Sequence, residues 1–119
     1  MKAYEINDFG VENLSLVERE VPEPRRGEVL IRLRAASINY RDLMVVEGTY
    51  NPKMKRPAIP FSDGAGEVVA IGEDVSKWLV GDRVLPIFAQ QWIDGDASEE
   101  KRRSSLGAGA YRDGVLREY

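Results

Sequence analysis

The sequence contains no cysteine and no histidine among its 119 residues. Their absence excludes disulfides, thiol nucleophiles, imidazole bases and the two commonest zinc ligands. A Ser-His-Asp triad is impossible. Carboxylate sites for hard cations stay open in principle, but no D-x-D-x-D-G loop is present. No apolar run approaches the ~20 residues of a membrane span, and "MKAYEINDFG" is not a charged leader followed by an apolar stretch. The expectation is a cytoplasmic protein without a membrane partner. A net charge of −3 and a pI near 5.1 give no basic surface for nucleic acid. What is present, 43% hydrophobic and 31% charged residues over 119 positions, suits one compact soluble domain.

The chain reads as short strands divided by turns. Residues 2–6 form a candidate strand closed by "NDFG". "LSLVERE" (14–20) alternates and is cut by "VPEPRRG", with two prolines and a glycine. "EVLIRLRAASI" (28–38) sets Val29, Ile31 and Leu33 against Leu30, Arg32 and Arg34, the pattern of a half-buried strand. At Asn39 the period changes: Asn39 is an N-cap, Asp42 its capping-box partner, Leu43 and Val46 share a face, and Gly48 sits at the C-cap. A proline-rich basic loop (49–60) follows, then candidate strands "GEVVAIG" (66–72) and "DRVLPIF" (82–88). "DASEEKRRSSLG" has acids early and bases late, which favours a short surface helix. "DGVLREY" reads as the opening of another strand. Its free edge would invite pairing with a second copy. The pattern predicts a mainly β fold, a barrel or sandwich with one or two short helices.

"IPFSDGAGEVVAIGEDV" (59–75) contains G-A-G-E-V-V, which begins like a dinucleotide-binding loop. Val69 replaces the third glycine, and a β-branched strand follows where a helix is needed. Gly64 and Gly66 are therefore read as structural, marking a bulge or close backbone packing. Trp78 and Phe88 are assigned to the core, as is Trp92 with less reason. Arg41, Arg25 and Arg26 are read as solvated, and "EEKRR" as an exposed helix face.

The run 59–84, with Gly72, Val75, Trp78 and Gly81-Asp82-Arg83-Val84, resembles the GroES-like N-terminal domain of the medium-chain dehydrogenase/reductase family. "MKAYEI", "PEPRRGEVLIRLRAASIN" and "DGVLREY" match in order and spacing, so the resemblance spans residues 1–119. It implies a GroES-like, partly open β-barrel forming one wall of a cleft. The other wall would be a Rossmann domain binding NAD(P)H, which is absent from this chain. Alone, the chain is not expected to bind the dinucleotide stably or to catalyse.

Zinc-dependent members of that family place a Cys at the position of Asn39 and a His-Glu pair at Ser62-Asp63. A four-cysteine zinc loop would fall around 89–113. This sequence has none of those ligands, so no metal is expected. Asn39-Tyr40-Arg41-Asp42 and Tyr50 resemble the quinone-oxidoreductase and enoyl-reductase branches, although "FAQQWIDGDASEEKRRSSLGAG" (88–109) is longer than in simple quinone reductases. The resemblance implies hydride transfer to a small-molecule carbonyl or enone, or from an alcohol. Asn39, Tyr40 and Ser62 would act as catalytic donors, and Asn39 and Tyr50 would contact the cofactor. The hydroxyls and the amide would replace a Lewis acid. Each residue also has a structural reading: Asn39 and Asp42 satisfy a capping box, Tyr40 and Tyr50 pack or face solvent, and Ser62 is a vestige of a ligand position. Two rival readings stay open, a free-standing GroES-like interaction module and one half of a split reductase.

Overall fold

The computed structural model describes residues 1–107 and 112–119. Two antiparallel sheets form the frame. In the first, β1 (Lys2–Ile6) pairs with β2 (Leu14–Glu18), from Lys2 opposite Glu18 to Ile6 opposite Leu14. A 3-10 turn over Val11–Asn13 makes the connection. The second sheet has the order β3 (Val29–Ser37), β4 (Asp63–Ile71), β5 (Arg83–Val84). Two register shifts interrupt the β3–β4 ladder, one of them between Leu33 and Ala35, and such irregularities bend a sheet toward closure. This matches the expected mainly β, partly open architecture.

Two expected strands differ in length. β4 begins at Asp63, because Gly64 and Ala65 already pair with Ala36 and Ala35. β5 shrinks to two residues because Pro86 follows closely and has no N–H for a ladder. The segment "DGVLREY" forms no strand among the described residues. It bridges the two sheets instead. Tyr4 N–H donates to the Leu116 carbonyl (3.0 Å), Glu118 N–H to the Lys2 carbonyl (3.0 Å), and Leu33 N–H to the Glu118 carbonyl (2.8 Å). The expected free edge is therefore occupied from within the chain, which removes the basis for pairing with a second copy there.

The core lies between the first sheet, helix α1 (Tyr40–Val46) and the loop after it: Ile6, Val45, Val46, Met54 and Ala58, with Phe9 and Leu14 against them. Leu43 was expected on the buried face but is exposed; the buried stripe is Asp42, Val45 and Val46. Val46 of the expected pair is buried, and Asp42 and Val45 rather than Leu43 share its face. The second short helix, α2 (Glu99–Arg103), starts at Ser98, whose hydroxyl accepts from Lys101 N–H at 3.2 Å. It is a surface helix, as expected.

Trp78, Phe88 and Trp92 are not core residues, at 37%, 42% and 38% exposed. Their aromatic character suggested burial, but each is exposed, as are Ile38, Leu79, Leu85 and Ile93. Among the described residues no helix is long and apolar enough to cross a membrane.

Gly64 and Gly66 have the structural role read from the sequence. A Cβ on Gly66 would lie 2.4 Å from the Arg32 carbonyl oxygen and 2.6 Å from Ile31 Cγ2, while one on Gly64 would crowd Leu33 and Val115. At Gly66 the two backbones touch, and at Gly64 the neighbours are side chains. Gly66→Ala should cost about 1–3 kcal/mol, the usual range for overpacking, with urea unfolding as the check; an unchanged midpoint would contradict the close approach.

Candidate functional site

The site forms where β3 ends, α1 begins and β4 starts. Ser37 pairs with Asp63 at the end of the β3–β4 ladder, so two residues later Asn39 stands beside Asp63. Asn39 is extended (φ −109°, ψ 156°) and caps α1, and its backbone N–H donates to Asp42 Oδ2 at 2.8 Å. Its side-chain Nδ2 donates to Asp63 Oδ2. The Ser62 hydroxyl donates to the same oxygen at 3.2 Å. Phe61, just before, holds a positive φ of 72° and turns the chain into β4, and its carbonyl accepts from Val115 N–H at 3.0 Å. The local backbone thus fixes Ser62 and Asp63 from both sides.

Asn39, Ser62 and Asp63 therefore converge through one carboxylate oxygen. The structure unites two of the sequence candidates, Asn39 and Ser62, and adds Asp63 as their common acceptor. The chemistry of the two donors differs. Ser62 is buried and its one hydroxyl proton is given to Asp63. An amide nitrogen carries two N–H groups, so Asn39 keeps one beyond the bond to Asp63.

Tyr40 and Tyr50 do not join this cluster. Tyr40 is 78% exposed on the first turn of α1. Tyr50 lies past Gly48, whose φ of +76° ends the helix as a C-cap glycine does. The N–H groups of Thr49 and Tyr50 both donate to the Met44 carbonyl, at 2.9 and 3.1 Å. This tight return brings the Tyr50 ring under Arg41, with Arg41 Cζ 4.6 Å from its centroid.

Arg41 is a correction to the sequence reading. It is not solvated: Phe88 covers it at 4.8 Å, and Nη2 donates to the Leu106 carbonyl at 3.1 Å. A lone arginine beside an acidic helix position carries no sequence signal for this, because its ring partners are 9 and 47 residues away (Tyr50 and Phe88). Arg25 and Arg26 are exposed as expected, with Arg26 Nε donating to Asp74 at 2.6 Å.

A separate cavity of about 690 Å³ is lined by Val29, Ile31, Leu33, Trp78, Arg112 and Arg117 among others, and by none of Asn39, Tyr40, Tyr50 or Ser62. Desolvation holds the Arg117 guanidinium below its ordinary value, opposed by the charge of Asp113.

Residues 25–119 match the alcohol dehydrogenase GroES-like domain. The chain belongs to that family. A zinc-type alcohol dehydrogenase-like protein of Schizosaccharomyces pombe is 40% identical over 111 residues, covering 92% of this chain and 32% of that protein. A thermostable alcohol dehydrogenase from Pyrobaculum aerophilum superposes with a TM-score of 0.78 at 32% identity, over 99% of this chain and 37% of the other. Escherichia coli quinone oxidoreductase, solved with NADPH, gives a TM-score of 0.66 at 29% identity, over 71% and 26%. The chain thus spans about a third of the length of its relatives.

The donor set does not suit zinc. An amide, a hydroxyl and one carboxylate replace the thiolate and imidazole that hold a tetrahedral ion. Among the described residues no group of three or more His, Cys, Asp or Glu stands close enough to hold any metal.

Asp42 carries the clearest electrostatic signature. Desolvation raises its carboxyl above the ordinary 3.8, with the Asp63 charge acting the same way; the Asn39 N–H and Arg41 oppose the shift. A carboxyl whose folded pKa is raised contributes stability that is full below 3.8 and lost as pH rises through the folded value. The stability of wild type relative to Asp42→Asn should therefore fall between about pH 4 and about pH 7. Denaturant unfolding at both pH values checks this, and a difference that grows with pH would contradict it.

Proposed function

We propose that the chain is the substrate-side domain of an NAD(P)H-dependent oxidoreductase that works without zinc on a small carbonyl, alcohol or enone. The observation that carries this reading is the convergence of Asn39 and Ser62 on Asp63, at the three positions where zinc-dependent members of the family place their ligands. Hydrogen-bond donors and a fixed carboxylate occupy the place of a Lewis acid. Asn39 is the donor toward substrate, because it alone of the pair retains an N–H. Ser62 and Asp63 orient it, and Tyr50 with Asn39 forms the wall toward the nicotinamide. Tyr40 stays accessible at the rim.

NAD(P)H supplies a hydride when bound. Asn39 and Tyr50 are the groups we assign to its nicotinamide end; Gly64 and Gly66 lie in a paired strand and open no helix N-terminus for its phosphates. A Rossmann domain is the partner this requires, in keeping with relatives about three times as long. The exposed apolar side chains of Ile38, Tyr40, Leu85 and Ile93 are in keeping with such a partner. In isolation the chain would hold no dinucleotide stably. The proposed location is the cytoplasm.

The test uses the protein at its natural length, with NADH or NADPH and a panel of enones, quinones and aldehydes. Turnover should survive dialysis against a chelator. Asn39→Ala should lower kcat/KM by about 10²-fold, the effect of losing one preorganised donor. Activity that disappears on chelation and returns with zinc would overturn the zinc-free reading. Unchanged kcat/KM in Asn39→Ala would remove Asn39 from the reaction.

A further inference from the structure

Arg41 has two N–H-bearing nitrogens, Nε and Nη1, that are buried with no hydrogen-bond partner. An arginine on a surface helix ordinarily keeps its guanidinium in water. Here one edge is fixed by the Leu106 carbonyl at 3.1 Å, and the guanidinium carbon lies 4.6 and 4.8 Å from the centroids of Tyr50 and Phe88. The rings do not bond these two N–H groups, but their negative faces attract a cation that has left water.

The three anchors come from separate parts of the chain. Tyr50 belongs to the return after α1. Phe88 and Leu106 stand at the two ends of the long excursion between β5 and the terminal segment, and those ends are zipped together. Leu106 N–H donates to the Phe88 carbonyl (3.0 Å), Gln90 N–H to the Ser104 carbonyl (3.1 Å), and Ala89 bridges Ser105. Arg41 follows Asn39 and Tyr40 on the first turn of α1, so the register that presents the Asn39 amide also presents this guanidinium.

We infer that Arg41 is a positioning residue: it ties the base of the 88–106 excursion to α1 and holds the Tyr50 ring at the cofactor-facing wall of the site. This rests on the oxidoreductase reading for what the wall does, but not for the clamp itself. A guanidinium can donate to the Leu106 carbonyl through one nitrogen while its delocalised charge stays within reach of two rings; an ammonium is a compact, strongly hydrated point charge. Arg41→Lys should therefore fail to rescue the function that Arg41→Met loses.

Two readouts on the natural-length protein decide the matter. In both variants the amides of Gln90 and Leu106 should exchange with solvent about tenfold faster, as expected for losing two ring contacts. The amides of Ile6 and Ala58, which bond each other across the core, should be unchanged and report that the fold survives. KM for the dinucleotide should rise about tenfold with kcat within about twofold. Unchanged exchange at Gln90 and Leu106 overturns the clamp, whatever the activity. Faster exchange with unchanged KM overturns the positioning role. A wild type with no dinucleotide-dependent turnover overturns the oxidoreductase reading, and the exchange rates then decide the clamp alone.

Discussion

The carboxylate of Asp42 is fully buried, with one oxygen on the backbone N–H of Asn39 at 2.8 Å and the other without a hydrogen-bond partner. Burying a carboxyl this way is costly unless the group does something that water cannot. Here it stops β3 from running on and starts a helix within two residues. Because Asp42 points inward, Val45 and Val46 follow it into the core on Ile6 and Met54. The outward side of the same turn then carries Tyr40 and the Asn39 amide. One buried hydrogen bond thereby sets which residues of the helix reach the core, and which face Asp63 on β4.

The rest of the frame serves that corner. The terminal segment joins the two sheets through Leu116 and Glu118, and its Val115 N–H holds the carbonyl of Phe61, the strained residue that aims Ser62 and Asp63. Burial is not limited to that corner: Val68 on β4, Leu106 and Val115 are buried too, while Trp78, Phe88 and Trp92 stay exposed.

Local signals were legible because they depend on neighbours in sequence. The strand at 29–37 showed its alternation, the cap at Asn39 showed its box partner three residues on, and the glycines at 64 and 66 declared themselves by failing to complete a loop motif. What stayed hidden depends on distant pairs. Asp63 becomes the acceptor for Asn39 only because the β3–β4 register places Ser37 opposite it. Arg41 leaves solvent only because Phe88 and Leu106 return to α1 from the far end of an excursion. The aromatic residues were misassigned for a related reason: a ring's size argues for burial, but not against which surface. The strand pattern left barrel and sandwich both open; the family resemblance chose between them and pointed to Asn39, Ser62 and Asp63 together.

A carboxylate at the centre of the donor cluster poses an electrostatic question, because an anion next to a developing oxyanion opposes it. Asp63 is exposed, so water screens its charge over distances of a few ångströms more effectively than it would a buried group. Its effect on Asn39 acts through a direct bond and escapes that screening. A charge-assisted hydrogen bond fixes the amide plane, and fixing one N–H fixes the direction of the other. Ser62, donating to the same oxygen from a buried position, limits the rotation of the carboxylate in turn. Under the proposed zinc-free reading, the site would lack the charge of a metal ion and have instead a donor whose orientation is set before substrate arrives. In the proposed hydride transfer, a donor held in place in advance would meet the developing negative charge without reorganising.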